Sequence, residues 1–221
     1  KTPAHLKPII HSVGVGDCFN AVFAAKREEF EDKIALSYAS CIASEYASTT
    51  YIDEFKTSAN AWENIPTSDI KELKGVAIEW DKRPDFHIYI AAPDFDFVEK
   101  KYIDQLVSGL DYHNFTPRLP VREHGQMGEN ASSVHKNHLC YQNIAMLNQC
   151  SMLIAIMLYN DPGTLIEIGI AIERGMPVVV YEPYDRSKNL MLTELPTLVT
   201  ADIDEVIMSV FEEASKSINV Q

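Results

Sequence analysis

The chain has 221 residues, with 19 Lys plus Arg against 32 Asp plus Glu and a formal charge of −13; at 24.9 kDa and a pI near 4.9 it has room for one large domain or two small ones. That acidity argues against a duplex nucleic-acid binder, whose affinity rests on Lys and Arg neutralising phosphates. Hydrophobic content of 46% with 23% charged residues excludes wholesale disorder, and no apolar run approaches the roughly 18 residues needed to span a bilayer, so neither nucleic acid nor membrane is expected as a partner.

The opening stretch KTPAHLKPIIHSVGVGDCF is a short extended run ending in a Gly-rich turn. From Cys18, Phe19, Val22 and Phe23 recur at helical spacing and Lys26 to Glu29 closes the segment on a polar face. A second helix is predicted from about Glu31 to Ser48, with Ile34, Leu36, Tyr38, Cys41, Ile42 and Tyr46 as its apolar stripe and many Ala and Ser residues suited to close packing. Periodicity then fades, and Pro66, Gly75 and Pro84 mark a connector. The predicted organisation is a mainly helical segment over 1–64, a linker over 65–84 and a second domain over 85–221. Charge follows the same division, with 6 basic and 9 acidic residues in 1–64 against 13 and 23 thereafter.

After Asp85 strands and helices alternate. HIYIAA (87–92) reads as a strand, 96–110 as a helix, 115–121 as a short strand despite its prolines, and 133–149 as a helix with Val134, Leu139, Ile144 and Leu147 on one side. MLIAIML (152–158) is a continuous apolar run of the kind buried on both faces of a parallel sheet. A helix from Thr164 to Arg174 stops at Gly175, VVVY (178–181) is the next strand, Leu198-Val199 adds another, and 203–217 closes as a helix. This alternation predicts an α/β fold, a doubly wound, flavodoxin- or Rossmann-like parallel sheet flanked by helices. Its ligand should lie at the carboxyl ends of the strands.

The segment YNDPGTLIEIGIAIERGMPVVVY (159–181) concentrates the chemistry. Asp161, Pro162 and Gly163 form a turn, Thr164 and Glu167 open the helix, and Gly169 would let it approach a neighbour. A carboxylate in the first helical turn meets the positive end of the dipole, which favours its ionised form. Such a group at the mouth of an α/β crevice can act as a nucleophile toward a sugar carbon, with Asp161 on the loop above the same crevice. Thr164-x-x-Glu167 is equally the spacing of a capping box, in which Glu167 would only bond the Thr164 backbone.

HIYIAAPDF (87–95) and NDPGTLIEIGIAIERGMPVVV (160–180) together resemble the nucleoside 2-deoxyribosyltransferase family, over roughly residues 85–200. The resemblance implies attack on C1′ of a small-molecule nucleoside or nucleotide, a glycosyl-Glu ester, and passage of the sugar to another base or to water. Carried onto this chain, it makes Glu167 the nucleophile and Tyr89 its hydrogen-bonding partner. Asp161 would bind sugar hydroxyls or assist proton transfer. Asn143, Gly163, Thr164, Asp94 and Pro93 would contact substrate, and neither cofactor nor metal is implied. A homo-oligomer is. Asn143 and Asn148 stand where the family often has acids. An amide donates a hydrogen bond but is no carboxylic acid, so acid help would come from Asp161, from Asp94, or from a leaving group that needs little, such as nicotinamide in an NAD-like substrate. Arg118 and Arg122 are the cations placed to reach a phosphate. A non-catalytic nucleotide-binding or sensing domain is the alternative.

HSVGVGDCFNAVFAA (11–25) resembles the terminal signature of PfkB/ribokinase-type carbohydrate kinases, with Gly14 and Gly16 as an anion hole and Asp17 as the base; His11 and Ser12 depart from the pattern. The likeness runs over about residues 8–60, so a fusion that retains only the kinase tail is expected, the chain starting at Lys1 being either processed or a piece of something longer. Gly14 to Asp17 reads equally as a helix cap. Elsewhere, His124, His135, His138 and Cys140 have the side-chain types of a metal site without its spacing. The loop HGQMGEN (124–130) suits a lid or an ordinary loop. Cys18, Cys41, Cys140 and Cys150 lack CxxC spacing and are read as reduced thiols of a cytoplasmic protein.

Overall fold

The computed structural model describes residues 2–73, 75–128, 130–185 and 189–218. It divides into two compact units, Lys1–Ala77 and Ile78–Gln221.

The first unit is helical: α1 (Val15–Lys26), α2 (Asp32–Ala47), α3 (Ile52–Glu63) and α4 (Thr67–Glu72). On α2, Ala35, Ala39, Ala43 and Ala47 recur every fourth residue and are buried, so small side chains line the face against which neighbours pack. Ile34, Tyr38 and Ile70 form the core, with Val22, Phe30 and Trp62 packed on it. Glu45 is buried but satisfied, accepting from Lys7 Nζ at 2.7 Å and from Trp62 Nε1 at 2.9 Å. Residues 65–84, expected as a connector, contain α4, contribute Ile70 to this core and include the boundary between the units.

In the second unit a 3-10 turn (Trp80–Asp85) leads into β1 (His87–Ala91), α5 (Lys101–Tyr112), β2 (Thr116–Arg118), α6 (Pro120–His124), α7 (Ser133–Gln149), β3 (Met152–Ile156), α8 (Pro162–Glu173), β4 (Val178–Tyr181), α9 (Leu190–Glu194), β5 (Leu198–Thr200) and α10 (Ile203–Ile218). The five strands are parallel in the order β2-β1-β3-β4-β5, the doubly wound α/β arrangement. Strand β2 is only three residues long, because Pro120 opens α6 where a longer strand was expected.

Strand alternation separates two apolar layers. Ile88 and Ile90 of β1 face Ile103, Leu106 and Leu110 of α5 and Val206 and Val210 of α10. Tyr89 and Ala91 point the other way, toward Met146 and Leu147 of α7 and Ile168 and Ala171 of α8. Each fully buried Ile or Leu contributes about 1.5–3 kcal/mol. Val134 was expected on the apolar side of α7; it lies in the first turn, 80% exposed, and the buried face begins further along at Met146 and Leu147. The helix starts where Ser132 Oγ accepts from the His135 amide.

Strands β1 and β3 are neighbours, with Tyr89 opposite Leu153 and Ala91 opposite Ala155. The chain leaves β1 toward β2 on one side and β3 toward β4 on the other, which opens a crevice at their carboxyl ends.

Candidate functional site

A cavity of about 140 Å³ fills that crevice. The loop after β1 supplies Asp94 and Phe95, the start of α6 supplies Pro120 and Val121, α7 supplies Asn143, and the β3–α8 junction supplies Asp161, Gly163, Thr164 and Glu167. Of the residues expected from sequence, Asp94, Asn143, Asp161, Gly163, Thr164 and Glu167 therefore share one wall system. Tyr89 stands behind Glu167, and Pro93 is buried in the loop without lining the cavity. Sequence reasoning gave no role to Phe95, in the loop after β1, or to Val121, expected at the end of a strand and found in α6.

The start of α8 differs from expectation in a way that decides the chemistry. Asp161 is the N-cap, its Oδ2 accepting from Thr164 N at 2.7 Å and Thr164 Oγ1 at 2.9 Å. Pro162 occupies the first helical position, where its fixed φ and missing N–H are harmless. Gly163 suits this turn, since a Cβ there would stand 3.0 Å from Asp161 Oδ2 and press on the cap. The capping box through Glu167 does not form, because Asp161 already holds the Thr164 amide. Glu167 accordingly falls in the second turn, where the dipole has largely faded. Gly169 is likewise not a close-packing point: a Cβ there would meet nothing within 4 Å.

Glu167 projects instead onto β1. The Tyr89 hydroxyl, on a fully buried ring, donates to Glu167 Oε1 at 2.6 Å. Burial pushes the Glu167 carboxyl up to about 7; the Tyr89 hydrogen bond opposes the rise and the nearby negative charge of Asp161 adds to it. Burial and the adjacent carboxylate raise the Tyr89 phenol, so it stays a donor. The ionised state expected from the helix dipole is thus corrected: desolvation wins, and the carboxyl titrates near neutrality.

Asp94 is almost fully buried and ion-paired, accepting from Arg122 Nε at 2.6 Å with Lys100 Nζ at 3.4 Å. Arg122 also holds Asp104 at 2.6 Å, and Arg118 makes a bidentate pair with Glu123 at 2.7 and 2.6 Å. Both arginines expected to reach a phosphate are therefore engaged by carboxylates. Asn148 accepts from Arg174 Nη1, and Asn143 Oδ1 lies 3.0 Å from His124 Nδ1. A second cavity of about 220 Å³ adjoins the first through Phe95, Val121 and Asn143 and is lined by Gly125, Gln126 and Met127 of the expected lid loop, whose Glu129 lies outside the described residues.

Among the described residues, no three His, Cys, Asp or Glu side chains converge as metal ligands, all four cysteines are free, and no helix is long and apolar enough to cross a membrane. In the first unit Gly14 holds φ +77 at the N-cap of α1, a conformation that suits glycine. Gly16 and Asp17 follow, exposed, in the first turn.

No curated protein matches the chain. Among solved structures, a 2-deoxyribosyltransferase from the psychrotolerant bacterium Bacillus psychrosaccharolyticus is 23% identical, with 54% of this chain and 89% of that one covered and a TM-score of 0.49. A conserved protein from Enterococcus faecalis is 19% identical, with coverage of 60% and 98% and a TM-score of 0.46. The CMP N-glycosidase of Clostridium botulinum is 18% identical, with coverage of 56% and 96% and a TM-score of 0.38. The nucleoside 2-deoxyribosyltransferase family model matches residues 88–215. That match begins at Ile88 and gives the kinase-like reading of residues 8–60 no support. It spans more than half of the chain and takes in both β1 and the β3–α8 junction, and on it the chain belongs to the nucleoside 2-deoxyribosyltransferase family.

Proposed function

We propose that the second unit is a transferase or N-glycosidase acting at the N-glycosidic bond of a nucleoside or nucleotide, with Glu167 as covalent nucleophile. The observation that carries the proposal is the Glu167–Tyr89 pair: a desolvated carboxyl, held at 2.6 Å by a buried phenol, on the wall of a crevice cavity. In its ionised form Glu167 attacks C1′, the C1′–N bond breaks with its electron pair leaving on the base, and a glycosyl ester forms. Desolvation makes the carboxylate a stronger nucleophile, and the Tyr89 hydrogen bond keeps one oxygen fixed while the other reacts. Asp161, anchored as the helix cap, lies near enough to raise the Glu167 pKa and is placed to meet sugar hydroxyls. A second base or water then takes the sugar from the ester.

Engagement of Arg118 and Arg122 by carboxylates favours a neutral nucleoside, or a substrate carrying its own compensating charge, over a monophosphate. The homo-oligomer belongs to this proposal and is tested by sedimentation. A non-catalytic binding domain is the second reading, favoured by Asn143, an amide on the cavity wall that cannot act as a general acid. For the first unit we propose no kinase activity.

The test incubates the protein with mixed nucleosides, nucleotides and NAD and follows released base by chromatography, with Glu167→Ala as control. Release that disappears in the variant supports the mechanism; release that survives it removes Glu167 from the reaction. Binding of nucleosides without release would select the second reading.

A further inference from the structure

Asn143 stands where the two cavities meet and lines both. It projects from the later half of α7, whose next turn is anchored by buried Met146 and Leu147. The ring of His124, at the end of α6, lies with Nδ1 3.0 Å from Asn143 Oδ1. An amide has one acceptor oxygen and one donor nitrogen. With the oxygen engaged by an imidazole N–H, the group left to meet a ligand is Nδ2, which has no protein partner among the described residues. Phe95 and Val121 flank Asn143 in both cavities and supply an apolar surface for a flat ring.

We propose that His124 is a positioning residue that holds the Asn143 amide with its donor toward the cavity, so that the site selects leaving bases carrying a hydrogen-bond acceptor, a ring nitrogen or an exocyclic carbonyl, at that edge. The proposal rests on the glycosidic reading above. As C1′–N breaks, its electron pair stays on the base and spreads onto conjugated acceptor atoms, while Glu167 supplies the pair for the new C1′–O bond. The Asn143 N–H bond to such an atom strengthens as the charge develops, which is stabilisation of the transition state rather than of the bound substrate. No proton passes from the amide. The base departs as its anion and takes its proton from water. A base offering an N–H at that edge instead would face a second donor and leave both unpaired, a loss of about tenfold or more.

The experiment compares wild type, His124→Phe and His124→Asn, the last keeping an N–H near the place of Nδ1. On nucleosides whose base carries the acceptor, His124→Phe should lower kcat about tenfold with KM within about twofold, and His124→Asn should restore most of the loss. On a nitrophenyl 2-deoxyriboside, whose leaving group is stable enough to depart without hydrogen-bond help, all three should react alike. Equal kcat in all three on every substrate overturns the proposal, and so does an equal loss in His124→Phe on the nitrophenyl substrate, which marks a merely structural role. Binding of free adenine and uracil, read by saturation-transfer NMR, separates this proposal from the glycosidic one. Base binding that weakens in His124→Phe without any cleavage by wild type keeps the positioning role and removes the reaction. Neither binding nor cleavage overturns both.

Discussion

The Tyr89 hydroxyl and Glu167 Oε1 are 2.6 Å apart although 78 residues separate them in sequence. Period-two alternation turns Tyr89 of β1 toward the α8 layer, and the Asp161 cap fixes the phase of α8 so that Glu167 meets it. Removing the hydroxyl removes the one interaction that lowers the Glu167 pKa. Tyr89→Phe should therefore move the rising limb of the pH–activity profile to higher pH. It should also lower kcat roughly tenfold to a hundredfold, the scale of a hydrogen bond to a charged group of about 1.5–3 kcal/mol. An unshifted limb would mean that another group controls the rise.

Asp161 acts in the opposite sense, since its charge raises the Glu167 pKa. Asp161→Asn should shift the same limb to lower pH. Asn caps helices about as well as Asp, so the melting temperature should hardly change, whereas Asp161→Ala should cost about 1 kcal/mol in urea denaturation. The Asn variant thus separates the electrostatic effect from the structural one.

Much of this unit was legible before any coordinates. The unbroken apolar runs of β3 and β4 mark strands buried on both faces, although β3 ends at Ile156, two residues before its run does. The start of α8 was misplaced by two residues because Asp-Pro-Gly reads as a turn, while the same residues also make a cap, a first helical position and a small residue beneath the cap. That shift moves Glu167 from the dipole's end into a desolvated second turn and reverses its expected titration. Phe95 and the Arg122–Asp94 pair carry no periodic or spacing signal, since loops and contacts 28 residues apart are set by tertiary packing, and Val121 was expected in a strand where Pro120 instead opens α6.

The elevated Glu167 pKa makes stability depend on pH. Its folded value of about 7 exceeds the ordinary 4.5, so between these values the folded state keeps a proton that the unfolded chain has lost. Stability contributed by this group falls as pH rises from 4.5 to about 7 and levels off above. Glu167→Gln removes the titration and keeps an acceptor for Tyr89. Denaturation should show the variant more stable than wild type at pH 8 by up to about 3 kcal/mol, with little difference at pH 4. Equal stability at both pH values would show that the carboxyl is not desolvated.

Asn143→Asp places a carboxyl at the leaving-group wall. It can donate only when protonated, so help from it is lost as pH rises through its pKa. The variant's profile should gain a falling limb that wild type lacks, giving a bell with Glu167 ionisation on the acid side. A profile parallel to wild type at every pH would indicate that residue 143 does not face the departing base.

The covalent role of Glu167 is tested most directly by mass spectrometry of protein quenched during turnover of a released-base substrate. The account predicts one added pentosyl mass on the 160–175 peptide, mapped by fragmentation to Glu167 and absent from Glu167→Gln. Full base release with no adduct on that peptide, or an adduct mapped to another residue, would contradict it.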